Sequence, residues 1–95
     1  MEITEHAFDR VKERSGLNHD AAIRIAQKAL ENGITHAQCK GSLKRWVDKV
    51  YFTNRAANNI RLYGDKCYVF TGDRLITVLQ IPAKLRNHMK DMVKS

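Results

Sequence analysis

Three side chains with cationic or titratable groups recur every four residues near the start of the chain. They are His6, Arg10 and Arg14, in the segment ITEHAFDRVKERSG. In a helix, this spacing places all three on one face, with a small drift around the axis at each step. The result is a polar strip of one imidazole and two guanidinium groups, which suits a polyanionic partner.

The residues around this strip predict the helix that carries it. A short edge strand at 1–3 precedes Thr4, which is a suitable N-cap, and Glu5 is well placed for the helix dipole. The apolar residues then follow helical spacing and end near Ser15-Gly16; they are Ala7, Phe8 and Val11.

A second pair of candidate residues, Arg61 and Tyr63, lies in the stretch NNIRLYGDKCYVFTGDRLITVLQIP. Turn-forming clusters at Tyr63-Gly64-Asp65 and Thr71-Gly72-Asp73 divide it into three strands. The predicted strands are Asn59–Tyr63, Lys66–Thr71 and Leu75–Ile81. Alternation in the first strand puts Ile60 and Leu62 on an apolar face and the two candidate residues on a polar face.

Helices are needed to cover the apolar side of this meander. Asn18 predicts the start of one helix, and Asn32-Gly33 predicts its left-handed end. The segment 34–41 is interpreted as a turn of helix or a loop. Ser42 predicts the N-cap of a helix from Leu43 to about Thr53, with a strand across 46–52 as the alternative.

The chain closes with a predicted helix from Ala83 to Val93, after Pro82 ends the last strand. We therefore predict a single α+β domain over residues 1–95. It consists of two to three N-terminal helices, a three- to four-stranded antiparallel β-meander and a C-terminal helix.

The composition favours association with nucleic acid or with an acidic protein surface. The formal net charge is +7 and the pI is about 9.7. For a small domain, solubility alone can also explain a charge of this size. No stretch is long and apolar enough to span a bilayer, so a cytoplasmic protein is expected. Cys39 and Cys67 fit no ligand or redox motif and are predicted to be reduced and structural. We predict no metal and no cofactor.

The order of elements on a small basic chain resembles the barnase, EndoU, colicin and RelE group of compact ribonuclease folds. The opening segment ITEHAFDRVKERSG is also similar to the start of small phage and prophage proteins assigned to that group. With the meander stretch, this likeness covers roughly two fifths of the chain. RelE-like toxins usually carry their decisive residues on the last strands and the C-terminal tail. Here Leu75–Ile81 is almost wholly apolar and the tail offers only Lys90 and Lys94, so an active site would be displaced toward the first helix or be absent.

The resemblance implies metal-independent RNA cleavage by attack of the 2′-hydroxyl on the adjacent phosphorus. His6 would act as base or acid, and Arg10 would hold the charged phosphorane. Arg61 and Tyr63 would meet them from the polar face of the first strand, and Thr77 is a weaker addition. Further phosphate contacts are expected from other basic side chains, namely Arg14, Arg55, Lys66 and Arg74.

Other interpretations of these residues remain open. His6 could bond to nearby backbone, and Arg10 and Arg14 could pair with Asp9, Glu13 or solvent. A non-catalytic RNA-binding module would stack bases on Trp46, Tyr51 or Tyr63. A third class is a phage-encoded inhibitor of a host defence system, anti-CRISPR-like, that contacts an acidic or nucleic-acid-binding host protein through its basic surface. Open edges of the meander could also pair across a homodimer.

Overall fold

The computed structural model describes residues 2–54 and 57–94 and has the predicted α+β class. A short 3₁₀ turn lies at His36–Gln38. The helices are α1 (Glu5–Ser15), α2 (His19–Asn32), α3 (Gly41–Thr53) and α4 (Ala83–Lys94). The strands are β1 (Glu2–Ile3), β2 (Ile34–Thr35), β3 (Asn59–Tyr63), β4 (Lys66–Thr71) and β5 (Arg74–Gln80).

The strands form one five-stranded mixed sheet in the order β1-β5-β4-β3-β2. The antiparallel β3-β4-β5 meander was predicted, but β1 adds to β5 in parallel and β2 adds to β3 antiparallel. The predicted meander and the predicted edge strand near residues 1–3 are therefore present. The prediction of three to four antiparallel strands falls short, because the sheet has five strands and the β1-β5 pair is parallel. A strand of only two residues, such as β2, is too short to leave an alternating pattern in the sequence.

Helices cover both faces of the sheet. On one face, α1 and α2 pack against Tyr68 and Phe70 of β4, and on the other, α3 packs with α4 against Cys67 and Val69. The predicted open polar face of the meander does not exist. Arg61, which pairs with Tyr68, lies on the face that α2 covers and is half-buried.

A β-bulge changes which face the β5 side chains meet. Leu75 pairs with Phe70, but Thr77 pairs with Val69, so Ile76 is an extra residue on β5. Leu75 belongs to the core under α1 and α2, whereas Thr77 lies on the opposite face, toward α3. Without the bulge, two residues separated by two positions would share a face.

The helix ends confirm some capping predictions and correct others. The side chains of Thr4 and Asn18 accept hydrogen bonds from Ala7 N and Ala21 N, as predicted for N-caps. α3 is a helix, not the alternative strand, but it begins one residue before Ser42, with Lys40 at the N-cap. Buried residues explain the helix, because they recur at intervals of three and four; they are Leu43, Val47 and Val50.

Gly33 does not end α2 in the predicted left-handed conformation. Its φ of −68° is open to any residue, and its N–H still donates to Ala29 O at 2.8 Å. Glycine is required here for steric reasons, because a Cβ atom at this position would clash with Ala29 O and would lie 3.0 Å from the Cβ of Arg61. Glycine thus lets the end of α2 rest directly on β3.

Both thiols are buried in the core beneath α3 and α4. Burial raises the pKa of Cys39 to about 11 and the pKa of Cys67 to about 12. Both side chains therefore behave as small apolar groups at neutral pH. Within the described ranges, no helix has the length and apolar character to cross a bilayer.

We predict that Gly33→Ala lowers the free energy of unfolding by about 2–3 kcal/mol, because the new methyl group overpacks the contact between α2 and β3. Gly16→Ala is the control. Gly16 has a φ of 66° and open space around it, so the methyl group costs only the left-handed conformation, about 1 kcal/mol. Urea unfolding of both variants measures the difference, and an equal or smaller loss for Gly33→Ala would contradict the packing argument.

We also predict that neither thiol reacts readily with an aromatic disulfide reagent at pH 8 in the folded protein. The reacting species is the thiolate, and the raised pKa values leave little of it. Absorbance of the released thiol should show slow reaction in buffer and rapid reaction of both cysteines in denaturant. Fast stoichiometric labelling of the folded chain would show that the two side chains are reachable.

Candidate functional site

A groove of about 340 Å³ runs between α1 and α3 along β5. It forms where β1 ends, since β1 pairs only with Arg74 and Leu75 and α1 then lies against the rest of β5. α1 forms one wall, α3 the other, and Thr77 and Leu79 lie between them. The wall residues are His6, Arg10 and Arg14 from α1 and Lys49, Val50, Thr53 and Asn54 from the α3 side.

The groove is cationic. The α1 strip predicted from the sequence faces it, with about 6 Å of rise along the axis from each residue to the next. Lys49 adds an exposed ammonium group from the opposite wall. Among the described residues that line the groove, none is Asp or Glu. An anionic chain in the groove would meet positive charge from both sides.

Arg10 has one acidic neighbour outside the groove lining. Its Nη1 lies 3.4 Å from Oε2 of Glu13, and the two side chains are 41% and 65% exposed. The ion pair between Arg10 and Glu13, which was one of the interpretations left open by the sequence, is therefore formed. Exposed pairs of this kind contribute between about 0 and 1 kcal/mol, so a phosphate group can replace the carboxylate at little cost.

His6 reaches the floor of the groove. Its Nε2 lies 3.5 Å from Oγ1 of Thr77, a long hydrogen bond to a residue 71 positions away. Thr77 is only 7% exposed, so its hydroxyl depends on such partners. The β5 bulge makes this contact possible because it turns Thr77 toward α3 and the groove.

On the α3 wall, two side chains cover the carbonyl groups at the end of the helix. Thr53 Oγ1 donates to Lys49 O at 2.8 Å, and Asn54 Nδ2 donates to Val50 O at 2.8 Å. Val50 O also accepts from Asn54 N at 3.0 Å, so the side chains add second hydrogen bonds here and do not cancel the negative end of the α3 dipole. The positive side-chain charge on this wall comes from Lys49.

Arg61 does not join His6. It lines a second cavity, of about 410 Å³, and its Nε donates to Oδ1 of Asn59 at 3.0 Å. β3 is two strands away from β5, a separation of about 10 Å, and Arg61 lies on the opposite face from Thr77. The predicted site that combined the α1 strip with β3 is therefore not formed.

The other predicted site residues lie elsewhere. Tyr63 packs against the core under α1 and α2. Lys66 is 12% exposed, and its Nζ donates to Oδ1 of Asp65 at 3.0 Å, a bond that holds the pKa of Asp65 below its usual range. Arg74 is exposed beside Glu2, with its Nε 3.6 Å from the carboxylate. Arg55 lies outside the described residues.

An imidazole does accompany Arg61 in the second cavity, but it is His36. The Nε2 of His36 lies 2.6 Å from Oδ1 of Asp48, and Lys44 Nζ donates to Oδ2 of Asp48 at 3.0 Å. These two bonds, the one to His36 first, hold the pKa of Asp48 below its ordinary value of 3.8. Among the described residues, no group of three or more His, Cys, Asp or Glu side chains could hold a metal ion.

Of the three aromatic residues considered for base stacking, the structure exposes only Tyr51. Trp46 lies on α3 and is partly buried against the core that α3 and α4 cover, and Tyr63 packs against the core under α1 and α2. Phe52 is exposed beside Tyr51. From the sequence, the aromatic segment 43–52 is expected to be either well buried or a contact surface, and its exposure to favour a protein interface. Lys49 was not predicted as a site residue, although it lies four residues before Thr53 on the predicted helix, a spacing that places both on one face.

In comparisons with known proteins, no family model matches the chain, and no curated protein and no solved structure matches it either. The resemblance to the barnase, EndoU, colicin and RelE group therefore stays a prediction.

We predict that Asp48→Asn lowers the melting temperature at pH 7, because it removes the charge that holds His36 and Lys44. The pKa of Asp48 is lower in the folded protein than its ordinary value of 3.8. The stabilisation is therefore fully present above pH 3.8 and is lost as the pH falls through the pKa of Asp48 in the folded protein. Melting curves by circular dichroism between pH 7 and pH 2 should show the two proteins converging in acid. Glu31→Gln, which removes an exposed carboxylate from α2, is the control, and a pH-independent difference for Asp48→Asn would contradict the assignment.

Proposed function

We propose that the protein binds the sugar-phosphate backbone of a nucleic acid, with RNA as the expected kind, in the groove between α1 and α3. The observation that carries this proposal is that His6, Arg10 and Arg14 line one groove, opposite Lys49. The net charge of +7 supports it, since the whole molecule attracts a polyanion that the groove then receives.

The groove would hold phosphate groups without reading sequence. Guanidinium groups bind phosphate through forked N–H donors, and a row along a helix meets successive groups of an extended chain. The ammonium group of Lys49 closes the contact from the other wall. Binding of this kind releases counterions and is therefore strongly salt-dependent.

Cleavage of the bound RNA is a second candidate, because His6 lies in the groove in contact with Thr77 and in line with Arg10. In this reaction His6 accepts the proton of the 2′-hydroxyl, whose oxygen forms a bond to phosphorus. The 5′-oxygen leaves with a proton from water, and the arginines stabilise the charged phosphorane. Binding is ranked first because the groove geometry directly supports it, whereas cleavage also requires a correctly aligned 2′-hydroxyl.

We predict that the affinity for a single-stranded oligoribonucleotide falls with salt, and that single changes in the groove reduce the slope of log K against log salt by about 1 each. The changes are Arg10→Gln, Arg14→Gln and Lys49→Gln, measured by fluorescence anisotropy in the presence of a chelator. Arg24→Gln and Lys28→Gln are matched controls, because they remove the same charge from the exposed side of α2.

Equal effects of the groove and control changes would overturn the proposed site, since net charge alone would then account for binding. The same samples should be analysed for cleavage products. Products that form in chelator and disappear with His6→Ala would add catalysis to binding, and intact RNA after long incubation would exclude the second candidate.

A further inference from the structure

Two large apolar side chains remain in solvent at the end of α3. Tyr51 is 42% exposed and Phe52 is 75% exposed, and these are the exposed large hydrophobic residues of the described chain. Their rings contact each other, with centroids 5.8 Å apart and a tilt of 39°. Tyr51 also meets His36 edge to face at 5.8 Å, so three rings follow one another across the surface.

The turn of the helix places Phe52 between the two concave sites. Lys49 and Thr53 face the groove, and Tyr51 lines the second cavity on the other side of α3. At 100° per residue, Phe52 lies between Tyr51 and Thr53 around the helix axis and points to solvent. A ligand that extends from the groove to the cavity over this side of α3 would pass the ring of Phe52.

The second cavity offers polar groups that suit the edge of a nucleobase. Asn58 lines the cavity with a side-chain amide whose Oδ1 accepts from Gly72 N at 2.7 Å and whose Nδ2 carries two N–H donors. Arg61 bonds Asn59 through Nε, while a guanidinium carries further donors on its two terminal nitrogens. Amide and guanidinium groups beside an aromatic ring are the means by which proteins hold unpaired bases.

The charges around Tyr51 and Phe52 favour a nucleic acid as the ligand of this aromatic pair. An exposed aromatic pair can serve a protein or a nucleic acid, but this pair is flanked by the cationic groove on one side and by Arg61 and two asparagines on the other. Nucleotides combine a flat ring with a phosphate a short distance away, and stacking accepts any base because every base has a π-face. A duplex would not fit this use, since its bases are already stacked and paired.

We propose that Tyr51 and Phe52 form a stacking platform for the bases of a single-stranded nucleic acid whose phosphates occupy the α1–α3 groove, with the adjoining cavity receiving one base. This proposal rests on the proposed function and adds its ligand class: unpaired strands, held by backbone charge in the groove and by base stacking at the end of α3.

The experiment separates the two contributions by using two ligands of equal length and charge. One is a single-stranded oligonucleotide with bases, and the other is its abasic counterpart, which retains only sugar and phosphate. Both are titrated against the full chain and against Phe52→Ala, Tyr51→Ala and Arg14→Gln. Phe52→Tyr keeps a ring, and Phe52→Leu keeps apolar bulk without one. Circular dichroism checks that each exposed-site variant is folded.

We expect the wild-type protein to prefer the ligand with bases by about 10-fold or more, because stacking contributes about 1–3 kcal/mol per base. Phe52→Ala and Phe52→Leu should each reduce that preference about 10-fold while abasic binding is unchanged. Phe52→Tyr should retain the preference. Arg14→Gln should lower the affinity for both ligands by the same factor. Phe52→Ala should leave the affinity for a duplex of the same sequence unchanged.

Salt-sensitive abasic binding with no preference for bases would overturn the platform and leave the groove function intact. A preference that Phe52→Ala and Tyr51→Ala do not change would also overturn it and leave the two rings to a protein partner. Absence of binding to either ligand overturns the groove and the platform together.

Discussion

The structure depends on the burial of β4 on both of its faces. Cys67 and Val69 enter the core under α3 and α4, and Tyr68 and Phe70 enter the core under α1 and α2. Four successive buried side chains exclude a solvated face in the middle of the sheet, so helices must pack on both sides of it. For this reason α1 and α3 lie on opposite faces, and their facing sides meet only around the edge of the sheet, where the groove forms.

The local structure of β5 makes that edge into a site. β1 pairs with only two residues of β5, and the bulge at Ile76 then turns Thr77 away from the core that holds Leu75. A nearly buried hydroxyl thereby reaches the groove floor and contacts His6. Bulges commonly re-aim side chains next to functional sites, and this one links the polar strip of α1 to the sheet.

The end of α3 connects the two concave surfaces of the molecule. One side of the helix presents Lys49 to the cationic groove, and the other presents Tyr51 to the cavity with Arg61 and His36. The pair of His36 and Asp48, with Lys44, fixes the polar wall beside Tyr51. Cationic groups and one exposed aromatic pair therefore lie close together on the surface, and this combination supports the proposed binding of an unpaired nucleic acid.

The sequence by itself determined the α+β class, the meander strands, the N-caps of α1 and α2 and the strip of His6, Arg10 and Arg14, because each follows from residues close together in the chain. Only the tertiary structure decided which other groups join that strip. Lys49 and Thr77 line the groove, while Arg61 and Tyr63 lie on the sheet face that α2 covers. Strand order, a single bulged residue and coverage of both sheet faces decide this, and all three depend on contacts between distant segments. A period of two residues fixes which side chains share a face of a strand, but it cannot tell which helix will cover that face.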